Sequence, residues 1–561
     1  MQKKLQSELG IKSRLADLMI NRGIETVADA GIFLWGTLAE LHSPFIMKGM
    51  TTAAGIILNA VRQKDKICVY GDYDVDGLTG VALLFKTLSS LQADVIFYIP
   101  HRLEEGYSLN CQALDEIKNA SVNLIVTVDC GITSCNEVNY ANKLGMQVII
   151  SDHHQLGNNL PAAAAILNPL QPGCPYPFKK LSGVGIALKL AQAILAQSGL
   201  IREAADLLNN DLDLVALGTI ADMVPLMGEN RILVKYGLKQ LTNSSKSGIK
   251  ALKQVTGLAI DQEVSVVDVA YKLAPRLNAT GRMSDPQQGL ELLVSNNDTE
   301  SANLAKQIEE NNVQRKAIEG IILEQARTQL QQAIENNAPP KAIILAAEGW
   351  HIGVIGIVAS RIVEEYFRPT IIIGLTSGVG KGSGRSIRNL HLQQVLLKCQ
   401  DLLLEFGGHE MAAGLSILEE NIPRFKERIN QLVEDSLQEN DFIPSYNLDG
   451  VVELKELTLS FWQEIQLMEP FGIGNPAPLY CARHLEIMPP LRLVGNNHLK
   501  LKLRQNDLTM EAIGFNMGDW LSFLNTPGNK SIDVIFRPQL NVWQGKEQLQ
   551  LSLQDIVQTR D

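Results

Sequence analysis

A short acidic motif near the start of the chain places three carboxylates at alternate positions. Residues 70–77 read YGDYDVDG, so Asp72, Asp74 and Asp76 follow the apolar run KICVY and precede a helix predicted to begin at about Leu78. Carboxylates held a few ångströms apart repel each other unless a cation neutralises them. The motif therefore predicts a metal site, and an ordinary Asp/Gly turn with helix caps is the alternative.

Further acidic and histidine residues follow later apolar runs. VTVDCG presents Asp129, IISDHHQ presents Asp152, His153 and His154, and ALGTIADMVPL presents Asp222. We interpret all three runs as strands of one parallel sheet. The carboxyl ends of such strands share one edge, where open α/β sheets bind ligands. We therefore expect these side chains to converge on the three aspartates of the first motif.

The donor types indicate which ions the site would hold. Several carboxylates with one imidazole favour Mn²⁺ or Mg²⁺ over zinc, because the ligands are hard. Cys130 adjoins Asp129 but should point to the opposite side of a strand, so we assign it to the core. Aspartates around two ions are typical of phosphoesterases, in which the ions activate a water and stabilise the leaving oxygen.

The pattern of apolar runs predicts the elements that position these residues. Short apolar runs alternate with helical patterns from about 66 to 230, which favours a parallel α/β sheet. A polar helix-favouring stretch ends at Asn337-Ala338-Pro339-Pro340, a second α/β pattern follows, and short strands separated by turn residues come last, as in an OB-fold. The predicted fold class is thus α/β plus an antiparallel barrel. Its expected parts are an N-terminal helical segment (1–45), a parallel-sheet domain (46–290), a long connecting helix (291–338), a second α/β domain (339–440) and an OB-fold barrel (441–561).

Composition narrows the setting of the protein. The chain has 561 residues, a hydrophobic fraction of 45% and a net charge of −11, which fits a multidomain globular protein and speaks against wholesale coating of nucleic acid. Its seven cysteines are scattered without a CxxC pair, and no apolar run reaches membrane-spanning length. We expect a cytoplasmic protein with no membrane partner.

The ordered set of motifs resembles the DHH phosphoesterase superfamily, and specifically its RecJ-type exonucleases. The shared motifs are DYDVDG, HRLEEGY, VDCG, SDHH, LAPRLNATGRM, GWHIGVIGIVASRI, GKGSGRSI, FGGHEMAAG and EPFGIGNPAP. The resemblance covers roughly residues 45 to 555. It implies a DHH catalytic domain, a DHHA1 domain and a RecJ OB-fold, and an enzyme that degrades single-stranded DNA in the 5′→3′ direction to 5′-mononucleotides during repair and recombination.

The resemblance also implies roles for individual residues. Metal ligation is assigned to Asp74, Asp76, Asp129, His153 and Asp222, and His154 is expected close to the scissile phosphate. Asp72 is expected to accept a hydrogen bond that orients a ligand. Two ions, Mn²⁺ or Mg²⁺, are the implied cofactors, and a helicase and a single-strand-binding protein are further expected partners.

Candidate DNA contacts lie in segments rich in small residues. Arg276, Arg282 and Arg385 are interpreted as loop residues among glycine, asparagine and serine, where a backbone can approach phosphates closely. Gly407-Gly408-His409 is read either as a strand contact or as a tight helix entry. The full predicted set is Arg276, Asn278, Arg282, Ser383, Arg385, Ser386 and His409. Lys500, Lys502 and Arg504 alternate on one predicted strand, whose exposed face either follows a nucleic-acid backbone or is simply solvated.

Two rival functions remain at this stage. One is a superfamily enzyme that acts on oligoribonucleotides, cyclic dinucleotides or pyrophosphate, and such enzymes are usually shorter and lack the OB region. The other is a nuclease-dead relative that serves as a replication scaffold, which should have lost metal-binding carboxylates. The chain retains every expected ligand type.

Overall fold

The structure, a computed structural model, describes residues 1–101, 105–106, 108–335, 340–526, 531–543 and 545–558. The motif HRLEEGY and the predicted helix break at Asn337–Pro340 lie partly outside these residues. Three helices begin the chain, α1 (Gln2–Leu9), α2 (Ser13–Asn21) and α3 (Val27–Trp35).

The first sheet lies in the N-terminal half of the chain and is entirely parallel. Its strands are short apolar runs that bury both faces, as expected when helices cover a parallel sheet on both sides. The strands, in the spatial order β2-β1-β3-β4-β5, are β1 (Ile67–Gly71), β2 (Val95–Tyr98), β3 (Leu124–Val128), β4 (Gln147–Ser151) and β5 (Ala165–Leu167).

Among the described residues of this domain, twelve α-helices surround the sheet or extend from it. They are α4 (Met50–Gln63), α5 (Val75–Ser90), α6 (Cys111–Asn119), α7 (Cys135–Lys143), α8 (Gly183–Gln197), α9 (Ile201–Asn210), α10 (Leu212–Ala221), α11 (Gly228–Thr242), α12 (Ser247–Val255), α13 (Val266–Asp268), α14 (Ala274–Met283) and α15 (Gln287–Val294). A π-helical turn, Val269–Leu273, joins α13 to α14.

Three local predictions were wrong. Helix α5 begins at Val75 rather than Leu78, because the Asp74 side chain caps it. Asp222 follows helix α10 rather than a strand, so ALGTIADMVPL is helical at its start. Arg276 and Arg282 lie within helix α14 rather than in loops.

The connecting helix α16 runs from Asp298 to Glu335 and joins the two α/β domains. It is separated from α15, because the Asn297 side chain accepts hydrogen bonds from the backbone of Thr299 and Glu300 and so starts a new helix. Helix α14 packs against α16, and so does α17 (Ile355–Tyr366) of the second domain. One rigid helix thus contacts both α/β domains.

The second domain has a mixed sheet. Its strands, in the order β6-β7-β8-β10-β9, are β6 (Ile343–Glu348), β7 (Thr370–Thr376), β8 (Val379–Arg385), β9 (Leu403–Gly408) and β10 (Ala412–Leu418). Only β6 and β7 pair in parallel. After α17, the helices of this domain are α18 (Leu392–Leu397) and α19 (Ile422–Ser436).

The C-terminal region closes into a five-stranded barrel, so the predicted fold class is confirmed. The strands are β12 (Tyr480–Val494), β13 (His498–Gln505), β14 (Leu508–Gly514), β15 (Ser531–Trp543) and β16 (Lys546–Gln558), with β11 (Gly450–Val451) beside β12 and the helices α20 (Leu459–Gln466) and α21 (Trp520–Leu524). Pairing of β12 with β15 closes the barrel, and β14 pairs with β16 in parallel.

The first three helices share their core with this barrel. Leu5, Leu15 and Met19 are fully buried or nearly so, in one cluster with Tyr480 and Phe536. The beginning and the end of the chain therefore form one packed unit.

In the part of the chain that the structure describes, no single helix is both long enough and apolar enough to cross a membrane, although the bent pair Leu38–Ile46 and Met50–Gln63 meets the same criteria jointly. All seven cysteines are free thiols, and Cys130 is buried as predicted.

Candidate metal centre

The turn between β1 and α5 carries the first three carboxylates. Asp74 caps α5, and its Oδ1 accepts hydrogen bonds from the backbone N–H of Asp76 (3.0 Å) and Gly77 (3.1 Å). Gly77 must be glycine, since a Cβ there would lie 2.4 Å from the carbonyl oxygen of Asp72. The aspartates thus stand in a turn and a first helical turn. They do not lie in an extended strand.

Asp76 is held by the N-terminus of another helix. Its carboxylate is fully buried and accepts hydrogen bonds from the backbone N–H of Gly183 (2.5 Å) and Val184 (2.9 Å), the first residues of α8. Free N–H groups and the helix dipole make such an end a good anion site. The sequence interpretation drew nothing from Gly183-Val184-Gly185. The available signal was the N-cap Ser182 directly before two glycines.

Asp129 follows β3 with a left-handed backbone at φ 63°. Its N–H donates to the carbonyl of Ser151 on β4 (2.9 Å), which fixes this unusual conformation. Non-glycine residues held in sparsely populated backbone regions occur often at functional sites. The neighbouring α8 approaches so closely that a Cβ at Gly183 would lie 2.7 Å from Asp129 Oδ1.

The two histidines follow β4, and Asp152 orients one of them. His154 Nδ1 lies 2.8 Å from Asp152 Oδ1, and the other carboxylate oxygen accepts a hydrogen bond from the Ile132 N–H. His153 Nε2 faces Asp129 Oδ1 at 3.0 Å and Asp222 Oδ2 at 3.5 Å. The pairing of Asp152 with His154 was not predicted, and adjacency in the SDHH motif was the only hint of it.

The predicted ligands converge. The carboxylate oxygens and imidazole nitrogens form three groups whose atoms lie within 4.8 Å of one another. The groups are Asp76/His153/Asp222, Asp72/Asp74/Asp129 and Asp129/His153/His154. Asp72, for which an orienting hydrogen bond is expected, also belongs to one of these groups.

The electrostatics of the apo site are unfavourable. Burial raises the pKa of Asp76 to about 7, and the charge of Asp74 adds to the shift. Burial, together with the charge of Asp76, also raises the pKa of Asp129 and of Asp222. These carboxylates are too close and too dry to ionise together, which is the situation that a bound cation relieves.

The histidines differ from each other. Burial, together with the charge of His154, lowers the pKa of His153 to about 4, so the ring is neutral and able to ligate. Burial also opposes the charged form of His154, but the hydrogen bond to Asp152 and its charge outweigh that effect and raise the pKa of His154 to about 9. His153 is thus suited to bind a cation, whereas His154 is suited to carry a proton.

The donor set fits divalent cations of the Mn²⁺ and Mg²⁺ type. His153 Nε2 and Asp222 Oδ2 are buried and form no hydrogen bond within the described part of the chain, although both point into the cluster. Burial raises the pKa of the Cys130 thiol well above its usual value, so no thiolate competes. Five carboxylates and a neutral imidazole form a hard, oxygen-rich set.

A cleft of about 1040 Å³ separates the two α/β domains near this centre. The first domain contributes Thr133 and residues 155–157 to its lining, and the second domain contributes residues 381–383 and 405–409. Burial lowers the pKa of His409, and the nearby charge of His154 lowers it further. The second domain therefore faces the metal centre across the cleft.

Helix α14 carries three of the predicted DNA contacts, and each has a protein partner. Arg276, 9% exposed, forms an ion pair with Glu309 on α16. Asn278 Oδ1 accepts a hydrogen bond from the Val75 N–H (3.2 Å) at the start of α5. Arg282 donates to the carbonyl of Gly353 in the second domain (2.9 Å). These contacts connect α14 to the start of α5, to α16 and to the second domain. The contacts of these three residues with DNA remain predictions.

The other predicted contacts lie on the second domain. Arg385 was predicted in a loop, but it is the last residue of strand β8. It donates to Ser383 Oγ (3.1 Å) and to the carbonyl of Gly384 (2.8 Å). Gly356 lets them approach α17, since a Cβ there would lie 2.8 Å from Ser383 Oγ. Ser386 is buried, and its hydroxyl donates a hydrogen bond to the carbonyl of Leu390 (2.8 Å).

His409 lies in the hairpin between β9 and β10, where its N–H donates to the carbonyl of Ala412 (2.8 Å). The helix-entry reading of Gly407-Gly408-His409 was therefore wrong. On the barrel, Lys500 and Arg504 form ion pairs with Glu511 and Glu486, so two of the three alternating cations of β13 are already matched by carboxylates.

Comparisons with known proteins agree with this architecture. Residues 66–219 match the family model described as DHH family, N-terminal domain, residues 340–435 match the DHHA1 domain, and residues 448–555 match the RecJ OB domain. The chain is 39% identical to the single-stranded-DNA-specific exonuclease RecJ of Bacillus subtilis, covering 99% of this chain and 69% of that protein. It is 37% identical to the Escherichia coli protein of the same name, covering 91% and 90%.

Among solved structures, that of RecJ in complex with Mn²⁺ from Thermus thermophilus superposes with a TM-score of 0.84 at 31% identity, covering 100% of this chain and 78% of that one. A structure of the same protein in complex with Mg²⁺ superposes with a TM-score of 0.78. With three domain models in order and relatives matched over most of their length, the chain belongs to the RecJ family of single-stranded-DNA-specific exonucleases.

Proposed function

We propose that the protein is a metal-dependent exonuclease that hydrolyses single-stranded DNA in the 5′→3′ direction and releases 5′-mononucleotides. The observation that carries the proposal is the convergence of five carboxylates and a neutral imidazole, from four separate segments, beside a cleft between two domains. The 5′→3′ direction rests on membership of the RecJ family.

Two divalent ions, Mn²⁺ or Mg²⁺, fit the ligand groups. Asp76, His153 and Asp222 would hold one ion; Asp72 and Asp74 would hold the other, with Asp129 between the two groups. Bound there, the ions supply charge that activates a water and stabilises the leaving oxygen. The RecJ relatives from Thermus thermophilus bind Mn²⁺ and Mg²⁺.

The protein's own groups orient the reaction. His154, protonated through its pairing with Asp152, would donate a hydrogen bond to the scissile phosphate. Ser383 and His409 line the cleft and would contact the backbone of the strand. Arg385, two residues beyond Ser383 on β8, would add a further contact. Arg276, Asn278, Arg282 and Ser386 would support the strand path through the contacts described above.

A DNA-processing role defines the expected setting. Free thiols throughout the chain fit a reducing cytoplasm. Single-stranded ends arise when a helicase separates duplex, and a single-strand-binding protein covers the product. We propose repair and recombination as the context and these two classes of protein as partners.

The test uses purified full-length protein with 5′-labelled single-stranded DNA and Mn²⁺. We expect labelled mononucleotides as the first product and no activity in Asp76→Ala. Single-stranded RNA, a cyclic dinucleotide and pyrophosphate are measured in parallel. Asp94→Ala, at an exposed aspartate of the same domain, serves as the matched control. Faster turnover of a cyclic dinucleotide or pyrophosphate than of DNA would overturn the proposal.

A further inference from the structure

The segment that leads into the barrel lies directly behind the loop that carries Asp222. We call residues 467–475 the entry turn and residues 222–227 the Asp222 loop. The Leu226 N–H donates to the carbonyl of Ile473 (2.7 Å). A Cβ at Gly472 would lie 2.6 Å from Leu226 Cδ1, and one at Gly474 would lie 3.0 Å from Pro225 Cβ. The two segments are therefore in contact, and a methyl group added at Gly472 or Gly474 would require the Asp222 loop to shift at Leu226 or Pro225.

The entry turn has a rigid internal structure. Gly472 and Asn475 exchange backbone hydrogen bonds of 2.8 and 3.1 Å. The Asn475 side chain is fully buried, and its Nδ2 donates to the carbonyls of Met468 (2.7 Å) and Pro470 (3.0 Å). A buried amide that bonds two carbonyls of its own turn fixes the path of that backbone.

A buried arginine ties the entry turn to the helix that follows the Asp222 loop. Arg231, on the first turn of α11, donates to the carbonyls of Met468 (2.7 Å) and Glu469 (2.7 Å) and to that of Phe33 (2.7 Å). Its guanidinium lies 4.0 Å from the centre of the Phe33 ring. The Asp222 loop is thus bounded by α10 on one side and by an anchored α11 on the other.

We propose that the entry turn is a positioning element for the metal centre: it sets the position of the Asp222 loop and thereby of the Asp222 carboxylate. Asp222 follows α10 rather than a strand of the sheet, so its position depends on the loop that it begins. Met223, directly after it, has a left-handed backbone (φ 60°) and is 66% exposed, so the loop depends on neighbours for its shape. The inference rests on the proposed function, since it takes Asp222 as a metal ligand.

Ligand geometry must be held to a fraction of an ångström, and groups that support metal ligands typically change metal affinity about 10- to 100-fold when altered. Gly472→Ala introduces its methyl group against Leu226 and should displace the Asp222 loop. We expect Mn²⁺ binding to chelator-stripped protein, measured by titration calorimetry, to weaken about tenfold or more. The KM for single-stranded DNA at saturating Mn²⁺ should stay within about twofold of the wild type, since the cleft contacts are unchanged.

Two further variants separate positioning from general damage. Gly514→Ala makes a matched overlap, 2.6 Å from Met517 Sδ, at the far end of β14, and it should leave Mn²⁺ binding unchanged. Leu226→Ala removes the atoms that the new methyl group meets. The double variant Gly472→Ala/Leu226→Ala should therefore bind Mn²⁺ almost as tightly as Leu226→Ala alone.

Mn²⁺ binding by Gly472→Ala equal to that of the wild type, or equal losses in Gly472→Ala and Gly514→Ala, would overturn the inference. If Gly472→Ala does not fold, Gly474→Ala, which meets Pro225 from a left-handed backbone (φ 75°), replaces it. Gly495→Ala, at a left-handed position of the barrel (φ 59°), is then the matched control, and the same outcomes apply. A wild-type protein that binds Mn²⁺ but does not degrade DNA would overturn the proposed function while leaving the positioning inference intact.

Discussion

At the scale of single residues, each ligand is fixed by a different backbone device. Asp74 caps a helix, Asp76 accepts two N–H groups from the start of α8, and Asp129 has a left-handed backbone held by β4. Such fixed carboxylates cannot move apart when no cation is present. The energetic cost of the arrangement therefore falls on the metal-free protein.

This cost predicts a pH dependence of apo stability. The folded-state pKa of Asp76 is about 7, above the ordinary aspartate value of 3.8, so between these pH values the folded state binds the proton that the unfolded state has lost. The contribution of Asp76 to the free energy of unfolding is therefore fully present below about pH 4 and is lost as the pH rises through about 7. The loss is at most about 4 kcal/mol. Asp129 and Asp222 act in the same direction.

We expect the melting temperature of chelator-treated protein to fall between pH 5 and pH 8, and Mn²⁺ to remove most of that fall. Asp76→Asn cannot ionise, so its melting temperature should fall less over the same range. Differential scanning calorimetry in matched buffers measures both. Identical pH profiles for the two proteins would show that the Asp76 carboxylate is not under strain.

A second prediction about a single residue concerns Arg385, which lies on β8 of the second domain. Arg385→Ala should weaken binding of single-stranded DNA with little dependence on sequence and reduce the salt dependence by about one phosphate contact. Affinity is measured at several salt concentrations in the inactive Asp76→Ala background. Arg428→Ala removes one positive charge from a surface pair of the same domain and is the matched control. If both variants behave alike, Arg385 has no specific phosphate contact.

At the scale of elements, the sequence predicted the buried parallel strands, but it did not predict features that depend on packing between distant segments. Apolar runs located β1, β3 and β4, and hence Asp129 and His153, because buried parallel strands have a simple signature. Asp222 was taken for a strand end, because the run ALGTI is as apolar as a strand and lies in a fully buried helix without amphipathic periodicity. Such a helix is distinguished from a strand only by its tertiary neighbours.

The support of Asp76 by α8 is the clearest feature that pattern reading missed. Backbone N–H groups carry no residue signature, and glycines at a helix start have many explanations. Likewise, the arginines of α14 were placed in loops, although their helix packs between the metal centre and α16. Contacts between segments distant in sequence are set by the assembled fold.

The role of α8 yields a prediction at this scale. Gly183→Ala would place a Cβ 2.7 Å from the Asp129 carboxylate and should displace both that ligand and the N–H donor to Asp76. We expect a loss of Mn²⁺-dependent activity of about 100-fold, the usual effect of a misplacement near 1 Å. Steady-state rates on single-stranded DNA measure it.

Gly185→Ala is the control in the same helix turn. Its Cβ would meet only the side chains of Leu181 and Ser182 at 3.3 Å, so activity should stay within about threefold. Equal losses in the two variants would point to damage of α8 as a whole rather than to displacement of the ligands.

At the scale of the whole molecule, the domains are joined by few but specific connections. Helix α16 contacts α14 and α17, and Arg282 donates across the cleft to Gly353. The first three helices share a core with the barrel, and Arg231 links that unit to the catalytic domain. The metal centre thus lies under a second domain whose position is fixed.

This arrangement predicts strict selection of single strands with a free end. The second domain faces the metal centre across the cleft, so a strand must thread between the domains rather than lie on an open surface. Duplex DNA, with a major groove alone about 12 Å wide, would need a far wider opening. Phosphate contacts are largely indifferent to sequence, so width and terminus decide the substrate.

The measurement compares rates on otherwise identical substrates, namely linear single strand, circular single strand, 5′-overhang, 3′-overhang and blunt duplex. We expect rapid degradation of the linear strand and the 5′-overhang, and at least about 100-fold slower hydrolysis of the circle and the blunt duplex, because threading requires an end and a single strand. Efficient hydrolysis of the circle would contradict the threaded cleft. Preference for the 3′-overhang would contradict the 5′→3′ direction while leaving the cleft argument in place, since a narrow passage selects for an end but not for its polarity.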